Sequence, residues 1–303
     1  MADVSGINYA HHSWGPWRGC HPVSAGCQHC YAARDMRRFG QDPHVVVRAA
    51  PATFQAPLRW QRAARAAGER RRVFVCPWSD FWTAEADAWR PDAVLIMFAC
   101  PDLDFMIPTK RPERMAEELA GLRGIWPGVL ARWWLGVTAE NQEQAALRIP
   151  LLRRCPAAVH LISVEPMLGP VDLRPWLAER AARLWIVCGG ESGPGARPPH
   201  PQWVRDLRDQ CRAAGVPFWF KQWGEWLPRR QVPPSGPVLC SEWGVLSLDG
   251  RLGRGTTPWN GHDDEPHDGA HEASMYRVGT RHAGNLLDGR QYLELPAATH
   301  KGD

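Results

Sequence analysis

The sequence lacks any run of about 18 apolar residues, the length that a membrane-spanning helix needs, so no membrane association is expected. Residues 1–6 contain neither a basic region nor an apolar segment, and no secretion signal is predicted. Nine cysteines in such a chain indicate a reducing compartment. We therefore expect a cytoplasmic protein whose cysteines are not paired in disulfides.

Lysine is also scarce, since Lys110, Lys221 and Lys301 are the only three in 303 residues. Arginine supplies nearly all of the positive charge, and the net charge of +4 permits nucleic-acid binding without requiring it. A GC-rich genome explains this bias as well as phosphate binding does. Where lysine is kept, we expect that a compact ammonium group is needed rather than a planar guanidinium.

Three cysteines, Cys20, Cys27 and Cys30, lie within eleven residues of one another. In a chain without an export signal, such clustering indicates a metal or iron–sulfur site. A structural zinc site usually takes four protein ligands, whereas a [4Fe–4S] cluster on three cysteines leaves one iron open. S-adenosylmethionine (SAM) binds the open iron in enzymes that cleave SAM to a carbon radical. The cysteine count therefore favours a radical SAM enzyme.

From residue 73 onward, short apolar runs alternate with helical stretches at intervals of about 25–33 residues, the length of one βα unit. Such runs predict parallel strands that are buried on both faces. They span residues 73–76, 105–108, 133–137, 159–163, 184–188 and 217–220. With a further strand near the cysteines, we predict an α/β fold, a (β/α) TIM-type barrel that is complete or partial. An open doubly wound sheet is the alternative.

The predicted barrel domain spans 1–228 and carries the cluster-binding loop near its N-terminus. One helix is expected over 140–154, with a break or kink at Pro150. After residue 228 the composition changes to Pro, Gly, His and Asp, which predicts a loop-rich extension over 229–303 that caps the barrel. The histidines and carboxylates of 262–268 fit either a metal site or a solvated loop.

Polar groups follow each predicted strand, and in a parallel α/β fold these ends meet at the edge where chemistry collects. Taken singly, Asp80 or Asn141 is better explained as a salt-bridge partner or a helix cap. The succession as a whole predicts a charged pocket, and its members are Asp80, Lys110, Arg111, Glu140, Asn141, Glu165, Glu191 and Lys221.

Gly189-Gly190-Glu191 suits the amino end of an amino-acid-like cofactor. Glycines let the backbone approach a ligand closely, and a glutamate accepts hydrogen bonds from an ammonium group. The alternative is a tight βα turn with a capping glutamate.

Several stretches, spread almost from end to end of the chain, carry a family resemblance. They are 17–20, 24–27, 30–32, 79–81, 109–115, 134–142, 163–170, 189–198, 220–224 and 287–290. On these stretches the chain resembles the phage-associated and bacterial three-cysteine-motif proteins, a family grouped with the radical SAM enzymes. The cysteine gaps are six and two residues, whereas such enzymes usually have three and two. His29 replaces the aromatic residue that often precedes the third cysteine, and Tyr31 follows it.

The resemblance implies a [4Fe–4S] cluster on Cys20, Cys27 and Cys30, with the amine and carboxylate of SAM on the fourth iron. An electron entering the cluster is then expected to cleave SAM to methionine and a 5′-deoxyadenosyl radical. On this hypothesis Glu191, with Gly189 and Gly190, binds the SAM amine, and either Lys110 or Arg111 binds the SAM carboxylate. Either Glu140 or Asn141 binds the ribose. The residues expected to face the substrate are Glu165, Asp80 and Lys221, and the candidates for hydrogen relay are Tyr31, Cys76 or Cys188. The last two cysteines are better explained as buried strand residues.

Phage association, the arginines and the 17 tryptophans favour a nucleic-acid or nucleotide substrate that is modified or repaired. A peptide or a small metabolite is the alternative. An external electron donor of the flavodoxin or ferredoxin type is implied. Two other functions compete: a zinc-stabilised nucleic-acid-binding module that adds His21 or His29 to the cysteines, and an iron–sulfur protein with a sensing or partner role.

Overall fold

The computed structural model describes residues 5–122, 132–178, 183–232, 240–254 and 271–297. The acidic and histidine-rich stretch at 262–268 lies outside these residues. Contacts divide the chain into two compact units, the first formed by Met1–Thr138 with Leu147–Leu161 and the second by Ala139–Ala146 with Ile162–Ala298. The division at residue 228 stays a prediction.

The described strands are β1 His12–Trp14, β2 Trp17–Arg18, β3 Val47–Arg48, β4 Arg71–Val75, β5 Leu103–Thr109, β6 Trp134–Thr138, β7 Val159–Val164, β8 Leu184–Gly189, β9 Phe218–Gln222, β10 Trp226–Pro228, β11 Glu242–Ser247, β12 Leu252–Arg254 and β13 Glu272–Arg277. The described α-helices are α1 Tyr31–Arg38, α2 Pro51–Phe54, α3 Ala56–Ala67, α4 Arg90–Phe98, α5 Pro112–Leu122, α6 Gln142–Arg153, α7 Arg174–Leu177, α8 Pro201–Ala214 and α9 Thr280–Ala283. Among the described residues, none of these helices is long and apolar enough to cross a membrane.

Seven strands form one sheet in the order β1-β4-β5-β6-β7-β8-β9. The pairs β1–β4, β4–β5 and β5–β6 of the first unit are parallel, as is the pair β8–β9 of the second. Every residue of β6 and of β8 is buried, as expected of strands that are covered on both faces. The predicted parallel α/β class is confirmed, and the topology is consistent with a partial (β/α) barrel.

The helix α6 departs from the sequence prediction, because it continues through Pro150 instead of breaking there. Proline removes one backbone hydrogen bond from a helix. Ala145, Ile149 and Leu152 are fully buried on either side of the proline. Burial of this apolar face offsets the local cost, so the expected break is wrong, while a kink at Pro150 stays a prediction.

The region after residue 228 contains more regular structure than its composition suggested. β10, β13, β11 and β12 form an antiparallel sheet in that order. Trp226, Leu246, Ala273 and Met275 are buried together in its core. Much of the Pro, Gly, His and Asp content lies in 233–239 and 255–270, outside the described residues.

Residues 292–294 lie along β9, which is the last strand of the seven-stranded order. Phe220 N donates a hydrogen bond to Tyr292 O at 2.8 Å, and Glu294 N donates to Phe218 O at 3.2 Å. Trp219 and Leu293 form an antiparallel bridge between these two bonds. The segment therefore occupies backbone groups that β9 leaves available on its outer side.

Asp288 joins this C-terminal region to α8. Its carboxylate accepts hydrogen bonds from Arg205 Nη2 at 2.8 Å, from Arg208 Nη1 at 3.0 Å and from Gln231 Nε2 at 2.9 Å. Partial burial raises the pKa of Asp288, but these donors outweigh it and hold the pKa at about 2. The ionised carboxylate therefore stabilises the folded state.

We expect Asp288→Asn to lower the free energy of unfolding at pH 7. The difference in this free energy between wild type and variant, called the gap below, should narrow as the pH falls. The folded-state pKa lies below the ordinary 3.8, so the stabilisation is complete above that value and is lost as the pH falls toward about 2. Urea unfolding of both proteins at a series of pH values measures the gap. A gap that stays constant below pH 4 contradicts this assignment.

Candidate functional site

The three clustered cysteines lie on one loop of the first unit. Cys20, Cys27 and Cys30 are all free thiols and none is buried. A short 3₁₀ turn, Ala25–Cys27, shapes the middle of the loop, and α1 begins at Tyr31 directly after the third cysteine. The loop therefore keeps all three cysteines at least partly exposed.

The start of this loop is hydrogen-bonded to the segment that follows β4. Gly19 N donates to Trp78 O at 3.0 Å, and Ser79 Oγ donates to Gly19 O at 2.5 Å. Gly19 has a φ of +94°, and a Cβ built there would lie 2.2 Å from Val45 O. Only glycine tolerates both this φ and this close approach. Gly19 therefore fixes the path of the backbone that leads into Cys20.

Arg111, directly after β5 and Lys110, links the first cysteine to the strand end. Its Nη2 donates to His21 O at 2.8 Å, and its Nη1 lies 3.4 Å from Cys20 Sγ. The same Nη1 lies 3.3 Å from Asp80 Oδ2. Burial lowers the pKa of Arg111, but Asp80 and Cys20 raise it on balance above its ordinary value. Arg111 thus brings a positive charge to the cysteine loop.

Asp80 gathers donors from several segments of the first unit. Thr109 Oγ1 donates to both carboxylate oxygens at 2.7 and 2.8 Å, Lys110 N donates at 3.0 Å and Trp82 N at 2.9 Å. Its side chain is only 7% exposed. These contacts make Asp80 a positioning residue for Arg111, whereas the sequence analysis placed it toward the substrate. Its substrate contact remains untested.

We expect Asp80→Asn to lower the free energy of unfolding by about 2 kcal/mol. The described partners of this carboxylate are donors, so the amide of asparagine would place its own donor against one of them. Urea denaturation measures the change. Asp92→Asn is the matched control, because Asp92 is exposed and pairs with the exposed Arg48, and we expect less than about 0.5 kcal/mol there. Equal losses in the two variants contradict the role given to Asp80.

The donor set fits an iron–sulfur cluster in chemistry, since three free thiols share one loop and a guanidinium donates to the first. Among the described residues, however, no group of three or more His, Cys, Asp and Glu side chains is arranged to hold a metal ion. His21, a candidate fourth zinc ligand, lies with its Nε2 3.1 Å from Glu85 Oε1. The metal assignment therefore remains a prediction from residue type and spacing.

Tyr31 lies at the end of the same loop. Its hydroxyl donates to Pro77 O at 2.6 Å, and the side chain is exposed. Its role in hydrogen relay stays a prediction. Cys76 is buried, as expected, but it lies directly after β4 and not within the strand. Burial raises the pKa of its thiol.

In the second unit, Glu165 and Lys221 form an ion pair between the end of β7 and β9. Lys221 Nζ donates to Glu165 Oε1 at 2.6 Å. A Cβ built on Gly189 would lie 3.2 Å from Glu165 Cδ. The absence of a side chain at Gly189 therefore gives the carboxylate room beside the end of β8.

We expect a double-mutant cycle with Glu165→Gln and Lys221→Met to give a coupling energy of about 1–2 kcal/mol in urea unfolding. Both side chains are less than one quarter exposed, so solvent screens the pair only partly. Asp172 and Arg174 are the matched control, because their 2.7 Å contact is far more exposed, and we expect no measurable coupling there. Equal coupling in both pairs contradicts this account.

Glu191 is held by Arg197 in a forked arrangement. Arg197 Nη2 donates to Oε1 at 2.6 Å, while Nε and the backbone N donate to Oε2, each at 2.9 Å. Glu191 is buried. Sequence analysis missed Arg197, although it belongs to the stretch 189–198. The SAM-amine role of Glu191 is untested, and the observed partner supports the alternative of a structural turn.

Gly190 and Gly224 lie where two segments of the second unit cross. A Cβ on Gly190 would lie 1.9 Å from Trp223 O, and a Cβ on Gly224 would lie 2.1 Å from Glu191 O. The close approach of the two backbone segments therefore requires a glycine at position 190, independently of any ligand.

Glu140 and Asn141 precede α6. Glu140 is fully buried, and its backbone oxygen accepts a hydrogen bond from Leu168 N at 2.8 Å. Asn141 Oδ1 accepts from Gln144 N at 2.9 Å, which is the geometry of a helix cap. The structure therefore gives Asn141 the helix-capping role that the sequence analysis favoured when this residue is considered singly.

No curated protein matches the chain. Two solved structures of spore photoproduct lyase mutants are similar, one of them with bound AdoMet and dinucleoside spore photoproduct. Each has 11% identity and a TM-score of 0.47 over 71% of this chain and 75% of that chain. A likeness this distant carries no functional argument. Residues 4–296 match the family described as protein of unknown function (DUF5131), and the chain belongs to that family.

Proposed function

We propose that this protein is a radical SAM enzyme whose [4Fe–4S] cluster is held by Cys20, Cys27 and Cys30. The observation that carries the proposal is the loop itself, in which three free and partly exposed thiols follow one another in the first unit. Three thiolates suit a site-differentiated cluster and fall one ligand short of a structural zinc site. When bound, the cluster and SAM supply a 5′-deoxyadenosyl radical that takes hydrogen from the substrate.

Arg111 is proposed to position the first cysteine. Its N–H group donates to Cys20 Sγ, and donors to a sulfur tune an iron–sulfur site. Asp80 keeps the guanidinium oriented through the contact at 3.3 Å. Asp80 and Arg111 are therefore proposed to position the first cysteine of the loop before any substrate is bound.

Lys110 is the better of the two proposed partners for the SAM carboxylate. Arg111 already donates to His21 O and to Cys20 Sγ. The Lys110 backbone donates to Asp80, while its ammonium forms no ion pair with a described residue. An ammonium group with no competing carboxylate can bind one from a ligand.

The second unit supplies the remaining proposed roles. Glu165 and Lys221 would hold a proton between Oε1 and Nζ and bind substrate. Gly189, Gly190 and Glu191 stay proposed for the SAM amine. In this role Glu191 would keep Arg197 as its partner and offer only part of its carboxylate.

Glu140 or Asn141 is proposed to bind the ribose. As substrate we propose a nucleobase in a nucleic acid or nucleotide, which the arginine-rich composition supports. The phage association inferred from the resemblance stays a prediction.

The test is an anaerobic reconstitution with iron and sulfide, followed by dithionite reduction and EPR spectroscopy with and without SAM. We expect a [4Fe–4S]⁺ signal that changes on SAM addition, together with formation of 5′-deoxyadenosine. Bound zinc in place of iron would contradict the proposal and favour the nucleic-acid-binding module. A cluster whose EPR signal ignores SAM would favour a sensing or partner role.

A further inference from the structure

Gln222 ends β9 directly after Lys221, and one atom of its side chain lacks a partner. Its Oε1 is buried, and among the described residues no donor lies within hydrogen-bond distance of it. A buried acceptor without a donor costs free energy, so such an atom needs a specific explanation. A donor that arrives with a bound ligand is one such explanation.

The two ends of the Gln222 amide cannot exchange places. Its Nε2 donates to Gly190 O at 3.1 Å and to Ser192 Oγ at 3.3 Å. A backbone carbonyl only accepts hydrogen bonds, so turning the amide over would set Oε1 against another acceptor. The contact with Gly190 O therefore fixes the direction in which Oε1 points and leaves this oxygen without a donor.

Gln222 lies beside the segment that is proposed for the SAM amine. Its backbone pairs with Gly189 between β9 and β8, and Gly190 N donates to Gln222 O at 2.9 Å. The Gln222 side chain meets the same segment again at Gly190 O and at Ser192 Oγ. The unpaired oxygen therefore belongs to the strand end where Gly189, Gly190 and Glu191 lie.

The backbone and side-chain acceptors at positions 189–191 already have donors. Gly189 O and Glu191 O each accept from a backbone N–H of another segment, at 2.9 and 3.0 Å. Both carboxylate oxygens of Glu191 accept from Arg197, and the Glu191 side chain is only 4% exposed. Of the acceptors named here, Gln222 Oε1 alone lacks a donor among the described residues.

The pairing of Glu191 with Arg197 decides which acceptor is easier to use. Arg197 Nη2 lies 2.6 Å from Glu191 Oε1, in a charge-assisted pair whose carboxylate is buried. An ammonium group that binds to Glu191 would have to compete with this guanidinium. At Gln222 Oε1 the same ammonium meets an acceptor that gives up no other hydrogen bond.

We propose that Gln222 Oε1 accepts a hydrogen bond from the ammonium group of SAM. Gln222 would thus make up for the part of the Glu191 carboxylate that Arg197 occupies. This inference rests on the proposed function, since it names a further binding residue for the same cofactor. The bond would remove the cost of an unpaired buried oxygen and, because the donor is charged, would be stronger than one between neutral groups.

The test compares the affinity of SAM for the reconstituted wild type and for Gln222→Met, measured by anaerobic equilibrium dialysis. Methionine keeps the length of the side chain and removes the amide oxygen. We expect the dissociation constant for SAM to rise about tenfold. That for 5′-methylthioadenosine, which lacks the amino-acid part, should stay unchanged. Equal SAM affinity of wild type and variant overturns the inference, and so does an equal loss for both ligands.

Gln210→Met is the matched control in the same unit. Gln210 Oε1 accepts from Leu173 N at 2.7 Å, and its Nε2 donates to Val171 O at 3.1 Å, so both ends of this amide have backbone partners. We expect this variant to lose stability in urea unfolding and to bind SAM like wild type. The same loss of SAM affinity in both variants overturns the inference. If the wild type itself binds no SAM, the proposed function fails and this inference fails with it.

Discussion

Replacing Cys20, Cys27 and Cys30 together by alanine is expected to reduce the iron of the reconstituted protein from about four atoms per chain to none. Formation of 5′-deoxyadenosine from SAM should disappear with it. The reason is that thiolates are the ligands of such clusters, and these three are the partly exposed thiols on one loop. Iron and sulfide analysis after removal of unbound metal measures the first loss, and chromatography measures the second.

The matched control replaces Cys100, Cys155 and Cys211 by alanine, since all three are buried. These buried side chains are closed to a ligand that arrives from solvent, whereas the loop cysteines are partly exposed. We therefore expect this variant to keep its iron, although its stability falls because core volume is lost. Iron retained by the loop variant, or lost only by the control, would contradict the assignment of the ligands.

Gly190→Ala is expected to cost about 3 kcal/mol or more in the free energy of unfolding, or to abolish accumulation of soluble protein. The added Cβ would lie 1.9 Å from Trp223 O and 2.5 Å from Trp223 C. Both are backbone atoms, so no side-chain rotation relieves the clash, and the crossing of the two segments must open. Urea denaturation in the absence of SAM measures the cost and separates it from any loss of cofactor binding.

Gly121→Ala is the control for that variant. Gly121 lies in α5, and a Cβ built there has no neighbour within 4 Å. Alanine suits a helix better than glycine does, so we expect a gain of about 0.5–1 kcal/mol. A small effect at Gly190 would mean that the crossing can relax, and the glycine would then need another explanation.

The strand positions could be predicted because parallel strands covered on both faces are apolar without interruption. All six predicted runs form strands, and the seventh strand near the cysteines is β1. Pro150 shows the limit of local reasoning. A break or a kink was expected there, but the helix continues through the proline, and the apolar residues on either side of it are buried. The antiparallel sheet of β10 to β13 was missed because its short strands lie between stretches of a very different composition.

The candidate site was predictable as a set of residues and much less so as a set of contacts. The cysteine loop and the polar strand ends stand out in the sequence. What the sequence does not give is the partner of each group, because partners come from distant positions. Arg111 meets Asp80 across about thirty residues, and Glu191 finds Arg197 through a turn whose path depends on its glycines.

The segment 292–294 has a consequence for how copies of this chain behave toward one another. A bare outer strand offers its amide and carbonyl groups to the same strand of another molecule, and this is a common route to self-association. The tail occupies part of that row on β9 through Tyr292 O and Glu294 N. A chain shortened before residue 290 would lose this cover, so its first defect would be aggregation between molecules rather than damage at the cysteine loop.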